Sequence, residues 1–195
     1  MAELLVLVVK TGFALVLIAL AARFMAQVAQ VDPYGPMAET VRKISNPFVG
    51  PFLRVIPRFG GLDIPSLLVI WLLQVIMAMI LISLMPQLNA TIPTVIVGGG
   101  FATAGLILEV TRWSMIIVAV GSWLSSGAPN PLLGFLRDMI EPVVAPFRKL
   151  NLQVGMLDLS YLLAFLVLYI VHAILRTIAY STVPMGPVRI AFLGI

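Results

Sequence analysis

The sequence predicts an all-α membrane protein in which four transmembrane helices form two parallel two-helix repeats with interfacial amphipathic connectors. Three observations predict this class. Hydrophobic residues make up 61% of the 195 residues and charged residues only 10%, whereas soluble proteins are about 45–50% apolar and about 25% charged. Long uncharged runs recur along the chain, and its two halves resemble each other. We therefore expect lipid to cover much of the surface.

The transmembrane helices follow from the lengths of the uncharged runs. The 45 residues between Asp63 and Glu109 carry no charge, which is too long for one crossing of about 20 residues. Pro86, Asn89 and Pro93 predict a turn within that run. The predicted helices are residues 4–28, 64–85, 94–124 and 159–183. The glycines at 98–100 and the charges at 109 and 112 leave the regularity of the third helix open.

The first helix has two further features that need interpretation. A cleaved signal peptide is the alternative, because residues 19–21 (Ala-Leu-Ala) resemble a cleavage site. Glu3 replaces the expected positive cluster and Lys10 interrupts the apolar stretch, so we expect the helix to remain. Lys10 and Arg23 can extend to the membrane surface, and we expect neither to have a further role.

The basic residues predict the orientation of the chain. They concentrate in the two connectors, residues 29–63 and 125–158, and the middle loop has none. The basic connector residues are Arg42, Lys43, Arg54, Arg58, Arg137, Arg148 and Lys149. The positive-inside rule places both connectors in the cytoplasm and both termini outside it.

A shift of 95 residues aligns residues 41–76 with 136–171 without a gap. The alignment contains 11 identities in 36 positions, where composition alone would give about three. The matched proline, glycine and aspartate positions carry the most weight. We predict two repeats of the same orientation, residues 1–92 and 93–195, each a helix, a connector and a second helix.

At these positions the chain resembles the YggT family of small bacterial membrane proteins, which has relatives in plastids. Residues 46–63, Asn-Pro-Phe-Val-Gly-Pro-Phe-Leu-Arg-Val-Ile-Pro-Arg-Phe-Gly-Gly-Leu-Asp, match the family's connector motif. The second copy is eroded, with Leu152 and Met156 replacing a proline and a glycine. The resemblance implies the bacterial inner membrane and an envelope process, such as cell division, nucleoid organisation or osmotic stress tolerance. It implies assembly of cytochrome complexes or nucleoid distribution for plastid relatives, and no enzymatic activity.

The connectors are amphipathic. Apolar residues at helical spacing line one side, and we expect these faces to lie in the acyl boundary. They are Met37, Val41 and Ile44 in the first copy, and Leu132, Phe135, Leu136 and Met139 in the second. Prolines at 47, 51 and 57 predict short rigid pieces rather than a continuous helix. The basic residues form either a platform for anionic lipid headgroups or a protein partner, at about 1 kcal/mol each, or a set that only determines topology.

Two aspartates, Asp63 and Asp158, directly precede the second helix of each repeat. An aspartate at this position caps the free amides of the first helical turn, which is the role we expect. A cation site formed by the two acids is the alternative.

Four polar residues lie inside the predicted membrane region. Glu109 and Arg112 are three residues apart and can form a pair on one helical face; a part in ion passage is the alternative. His172 suggests an interhelical hydrogen bond, with Gln74 as a natural partner, rather than haem ligation or proton relay.

The composition also restricts the function. The chain has no cysteine and one histidine, so we expect no disulfide, no cysteine-ligated metal, no cofactor and no catalytic set. We expect a non-enzymatic interaction or assembly factor, with a membrane or cytoplasmic protein partner, a possible homo-oligomeric state and no direct contact with nucleic acid. The alternative is a small oligomeric channel or transporter for ions or osmolytes.

Overall fold

The computed structural model describes residues 2–54, 56, 63–85, 88, 90–124, 129–150, 153–154, 157–183 and 186–195. Its α-helices are α1 (Ala2–Val28), α2 (Pro36–Leu53), α3 (Ile64–Leu84), α4 (Ile92–Leu124), α5 (Pro131–Arg148) and α6 (Leu159–Thr182). A two-residue antiparallel pair, β1 (Gln153–Val154) and β2 (Leu157–Asp158), precedes α6. A 3₁₀ helix over Gly186–Ala191 follows it.

Four of the described helices, α1, α3, α4 and α6, are long and apolar enough to cross a membrane. The predicted all-α fold class with four transmembrane helices is therefore confirmed. The helix that contains the glycine run is continuous from Ile92 to Leu124, so the glycines do not interrupt it. Each predicted helix boundary lies within two residues of the observed one.

The prediction that prolines break the connectors was wrong for the described part. Pro47 and Pro51 lie inside α2, and Pro142 and Pro146 lie inside α5. In each helix the two prolines are one turn apart and all four are exposed. Each proline leaves one carbonyl without its helical partner, and an outward-facing carbonyl can bind water instead. The buried face of each helix keeps its packing and holds the helical conformation.

The connector helices pack against the bundle and against each other. The helix α2 contacts α1, α3 and α5, and α5 contacts α1, α4 and α6. The apolar face of α5 is buried inside the protein, in one hydrophobic cluster with residues of α1, α4 and α6. These buried residues are Phe135, Leu136, Met139, Ile140 and Val144.

The expected acyl-boundary faces are therefore only partly right. The helix α2 buries Ala38, Ser45 and Val49, whereas Ile44 is 46% exposed. The buried line, at positions 38, 45 and 49, is rotated from the predicted apolar line at positions 37, 41 and 44, and a serine lies at its centre. The reason for that serine is the polar cluster described below.

The C-terminal segment, residues 186–195, returns into the bundle. Ala191 and Phe192 are buried in the same cluster as residues of α1, α3 and α4. Gly194 has φ of +95° and lies against Gly105 of α4. A Cβ on Gly105 would collide with the Gly194 carbonyl. Sequence reasoning assigned no role to this segment.

We expect Gly105→Ala to displace the C-terminal segment, because the backbone of Gly194 occupies the space of the added methyl group. Gly100→Ala in the same helix is the matched control, since a Cβ there meets no atom within 4 Å. The measurement is maleimide labelling of Leu193→Cys, which introduces the first cysteine into the chain. Labelling should be faster in the Gly105 variant and unchanged in the control. Equal labelling in both would contradict this packing.

Candidate functional site

A buried polar cluster lies where α1, α2 and the start of α3 meet. Arg23 and Asp63 are 7% and 1% exposed, and Arg23 Nε lies 3.2 Å from Asp63 Oδ2. Arg23 Nη1 donates to Ser45 Oγ at 3.0 Å and to Asn46 Oδ1 at 2.7 Å. One arginine of α1 is thus bonded to both of the following helical elements.

Asp63 has a second function at the beginning of α3. Its Oδ1 accepts a hydrogen bond from the Ser66 amide at 3.4 Å, and its Oδ2 accepts one from Ser66 Oγ at 2.7 Å. The structure therefore places Asp63 at the N-cap of α3 and, with the same carboxylate, in an ion pair. A negative charge there also interacts favourably with the positive end of the helix.

The expectation that Arg23 needs no further role was wrong. Arg23 does not extend to the membrane surface but is buried and paired. Asp63 lies 40 residues from Arg23 in the sequence, and Ser45 and Asn46 lie 22 and 23 residues from it. A useful signal is that Arg23 lies in the last turns of a mostly apolar helix and is followed by a polar motif that ends in aspartate. Lys10 is partly buried in α1.

A related cluster occupies the corresponding place in the second half. Arg148 Nη1 lies 2.8 Å from Glu141 Oε1, and its Nη2 donates to Tyr161 Oη at 2.8 Å. The Arg148 guanidinium also lies over the Tyr161 ring, 5.2 Å from its centroid. This arginine therefore joins α5 to the first turn of α6.

The shift of 95 residues relates the two clusters residue by residue. Glu141 corresponds to Asn46, and Tyr161 corresponds to Ser66. The arginine, in contrast, has changed position. Val118 takes the place of Arg23 and is buried among apolar residues, while Arg148 takes the place of Leu53. In both halves an arginine thus holds the connector helix to the next transmembrane helix. The arginine comes from α1 in the first half and from α5 in the second.

The intramembrane charges form a chain with the C-terminal segment. Arg112 Nη2 lies 3.5 Å from Glu109 Oε1, and Arg112 Nη1 lies 3.4 Å from His172 Nδ1. His172 Nε2 lies 2.7 Å from the Gly194 carbonyl. A carbonyl only accepts, so Nε2 carries the proton, and Nδ1 is left to accept from Arg112. This tautomer satisfies both ring nitrogens.

Gln74 binds the same segment from α3. Its Nε2 donates to the Leu193 carbonyl at 2.8 Å, and its Oε1 accepts from the Leu193 amide at 3.2 Å. The sequence suggested Gln74 as the partner of His172. In the structure, Gln74 instead binds the backbone of Leu193 and His172 binds the backbone of Gly194. The C-terminal backbone therefore lies between the two side chains.

Most of the predicted basic platform is exposed. Arg42, Arg54, Arg137 and Lys149 are exposed, and Arg148 is partly buried in its cluster. Lys43 is exposed and pairs with Glu39 at 2.8 Å. The hydrogen bond from Lys43, followed by its charge, lowers the pKa of the Glu39 carboxyl. Arg58 and the side chain of Asp158 lie outside the described residues.

The described side chains contain no group of three His, Cys, Asp or Glu that could hold a metal ion. In that part of the chain, all buried side-chain nitrogen and oxygen atoms have hydrogen-bond partners. The internal charges are therefore used to join helices. The exposed cations of α2 and α5 and the residues just after them remain available to bind an anionic group.

These features define a class: a multi-pass membrane protein whose transmembrane helices are joined by two shorter helices, α2 and α5, each held by an arginine. The chain belongs to the CCB3/YggT family, whose model matches residues 2–85 and 99–179. Both clusters lie within the matched segments, and the C-terminal segment that binds Gln74 and His172 lies beyond them.

Relatives from several bacteria match most of the chain. An uncharacterized protein of Pseudomonas aeruginosa is 31% identical over 165 residues, 84% of each chain. The uncharacterized protein YggT of Escherichia coli (strain K12) is 31% identical over 150 residues, 77% of each chain. An uncharacterized protein of Vibrio alginolyticus is 30% identical over 164 residues, 81% of this chain and 85% of the relative. No solved structure matches the chain significantly.

We expect Arg23→Ala to lower the free energy of unfolding by about 3–5 kcal/mol, because it leaves the buried Asp63 carboxylate without its cation. Lys43→Ala is the matched control, since its pair with Glu39 is exposed and contributes about 0.5 kcal/mol or less. The measurement is reversible unfolding of the purified protein in mixed micelles. Similar losses in the two variants would contradict the assigned importance of the buried pair.

Proposed function

We propose that this protein is a non-enzymatic integral membrane protein that organises or assembles a protein partner at the membrane surface. The observation that carries the proposal is the layer formed by α2 and α5. These two helices are in contact, and each is attached to the bundle by an arginine-centred cluster. We call the exposed side of this layer the connector platform, and its exposed cations are Arg42, Lys43, Arg54, Arg137 and Lys149.

The division between internal and exposed charges supports this function. Arg23 and Arg148 are bonded inside the layer and hold its helices in place. Arg42 and Arg137 are equivalent in the two repeats and are both exposed. Exposed charges on fixed helices favour recognition of a complementary surface, because little side-chain and backbone ordering is needed on binding.

The proposed location is the bacterial inner membrane, with the connector platform in the cytoplasm and both termini outside it. The positive-inside rule supports this orientation. Cell division and osmotic stress tolerance are the envelope processes that the family resemblance suggests for the partner. The predicted division into two repeats supports a platform with two related binding faces.

We expect a photo-crosslinking residue at Thr40, which is exposed on α2, to give a discrete protein adduct in native membranes. The same residue at Leu166, which is exposed on the transmembrane helix α6, is the control for contacts within the bilayer. The triple change Arg42→Glu, Arg137→Glu and Lys149→Glu should remove the Thr40 adduct. Arg189→Glu, at an exposed cation beyond α6, should leave it unchanged.

An adduct that survives the triple change, or that forms equally at Leu166, would contradict the proposal. The thermal stability of each variant in detergent is first compared with that of the unchanged protein. Only variants of equal stability are used, so that loss of the adduct reflects a change in the platform and not misfolding.

A channel or transporter is the second candidate, and the chain from Glu109 through Arg112 to His172 is the observation in its favour. These side chains bind one another and the C-terminal segment, so each charge already has a partner inside the protein. That arrangement favours a structural role over ion passage.

We therefore expect liposomes that contain the purified protein to conduct ions no faster than protein-free liposomes, measured with a fluorescent reporter of internal ion concentration. Gramicidin serves as the positive control. A flux above background that Glu109→Gln alters would overturn the organising function and establish the second candidate.

A further inference from the structure

A small pocket opens at the side of the bundle where α1 ends and α2 lies. Its volume is about 60 Å³, and it lies between the end of α1, the first half of α2 and Phe135 of α5. Its polar lining residues are Arg23, Gln27 and Arg42, and its other walls are apolar. The pocket thus lies beside the buried Arg23 cluster, and the side chains of that cluster leave it open.

The bonding of Arg23 leaves one nitrogen for this pocket. Nε and Nη1 bind Asp63, Ser45 and Asn46, and the described residues provide no partner for Nη2. No buried side-chain nitrogen in the described part is without a partner, so Nη2 reaches an opening. Arg23 lines the pocket, and we infer that this pocket is the opening that Nη2 faces.

The surroundings favour a negatively charged occupant. Arg42 adds a second guanidinium and Gln27 an amide donor. The helix α2 begins without a side-chain cap, so its first-turn amides, near Ala38, add partial positive charge. Carbonyls at the end of α1 are already occupied by the amides of residues 29–31. Asp63 balances one cation, and Asp32, which accepts from the Tyr34 amide, is the acid of the adjoining turn.

We propose that this pocket binds the phosphate group of a phospholipid headgroup. Guanidinium groups bind phosphate oxygens through paired hydrogen bonds, and basic pockets between transmembrane helices on the cytoplasmic side bind lipid headgroups. The apolar walls, which include Val41 and Phe135, suit the glycerol and first acyl carbons better than a hydrated free ion. This site does not depend on the proposed protein partner.

The test is native mass spectrometry of the full chain in a neutral detergent, titrated with phosphatidylglycerol and, separately, with inorganic phosphate. Arg42→Gln should weaken phosphatidylglycerol binding about tenfold, as expected for loss of a charge-assisted contact. Arg137→Gln is the matched control, because it removes the equivalent exposed arginine of the second repeat, which does not line this pocket. It should change the affinity less than about twofold.

Gln27→Leu provides a second variant and should also weaken binding, since it removes an amide donor at the other side of the pocket. Equal effects of the Arg42 and Arg137 variants would overturn the site and indicate unspecific attraction to the platform. Binding of inorganic phosphate, with no stronger binding of the lipid, would overturn the headgroup assignment. Loss of the Thr40 crosslink in an Arg137→Glu and Lys149→Glu double variant, which keeps Arg42 and still binds the lipid, would separate this site from the proposed partner surface.

Discussion

The ion pair between Arg23 and Asp63 is the interaction on which the first half of the molecule depends. Its desolvation costs several kcal/mol per charge, so the pair is tolerated only with good geometry and further hydrogen bonds. Ser45, Asn46 and Ser66 supply those bonds. Because these residues belong to α1, α2 and the start of α3, satisfying one arginine fixes where the connector helix lies and where the next transmembrane helix begins.

The second half has a related but more exposed cluster, built from different residues. Its arginine, Arg148, comes from the connector helix and lies between Glu141 and Tyr161, while the position of Arg23 is the buried Val118. Val118 lies in an apolar cluster that α4 shares with α5. What the two halves share is therefore the placement of a cation at the junction of connector and transmembrane helix, and not the identity of the residue that supplies it.

Hydropathy could predict the transmembrane helices because their lengths are set by the membrane thickness. The connector helices were harder to predict. Pro47 and Pro51 disfavour a helix, and the packing that offsets their cost is not visible in the sequence. The sequence predicted that Arg23 extends to the membrane surface, because the residues that bind it lie 22 to 40 positions away in the chain. The roles of Gln74 and His172 could not be found either, since both bind backbone atoms of the C-terminal segment, and backbone acceptors have no sequence signature.

The structure also changes what the basic composition means. A count of connector cations suggests a strongly positive surface, but Arg148 is used internally and Lys43 is paired with Glu39. Asp32 and Asp138 are exposed on the same connectors, so the remaining charge is moderate. A moderate, fixed pattern is poorly suited to indiscriminate attraction to anionic membranes, which grows with the number of free cations. It is better suited to recognition of a particular arrangement of negative charge, because each of the two helices that carry the pattern is held in place by an arginine.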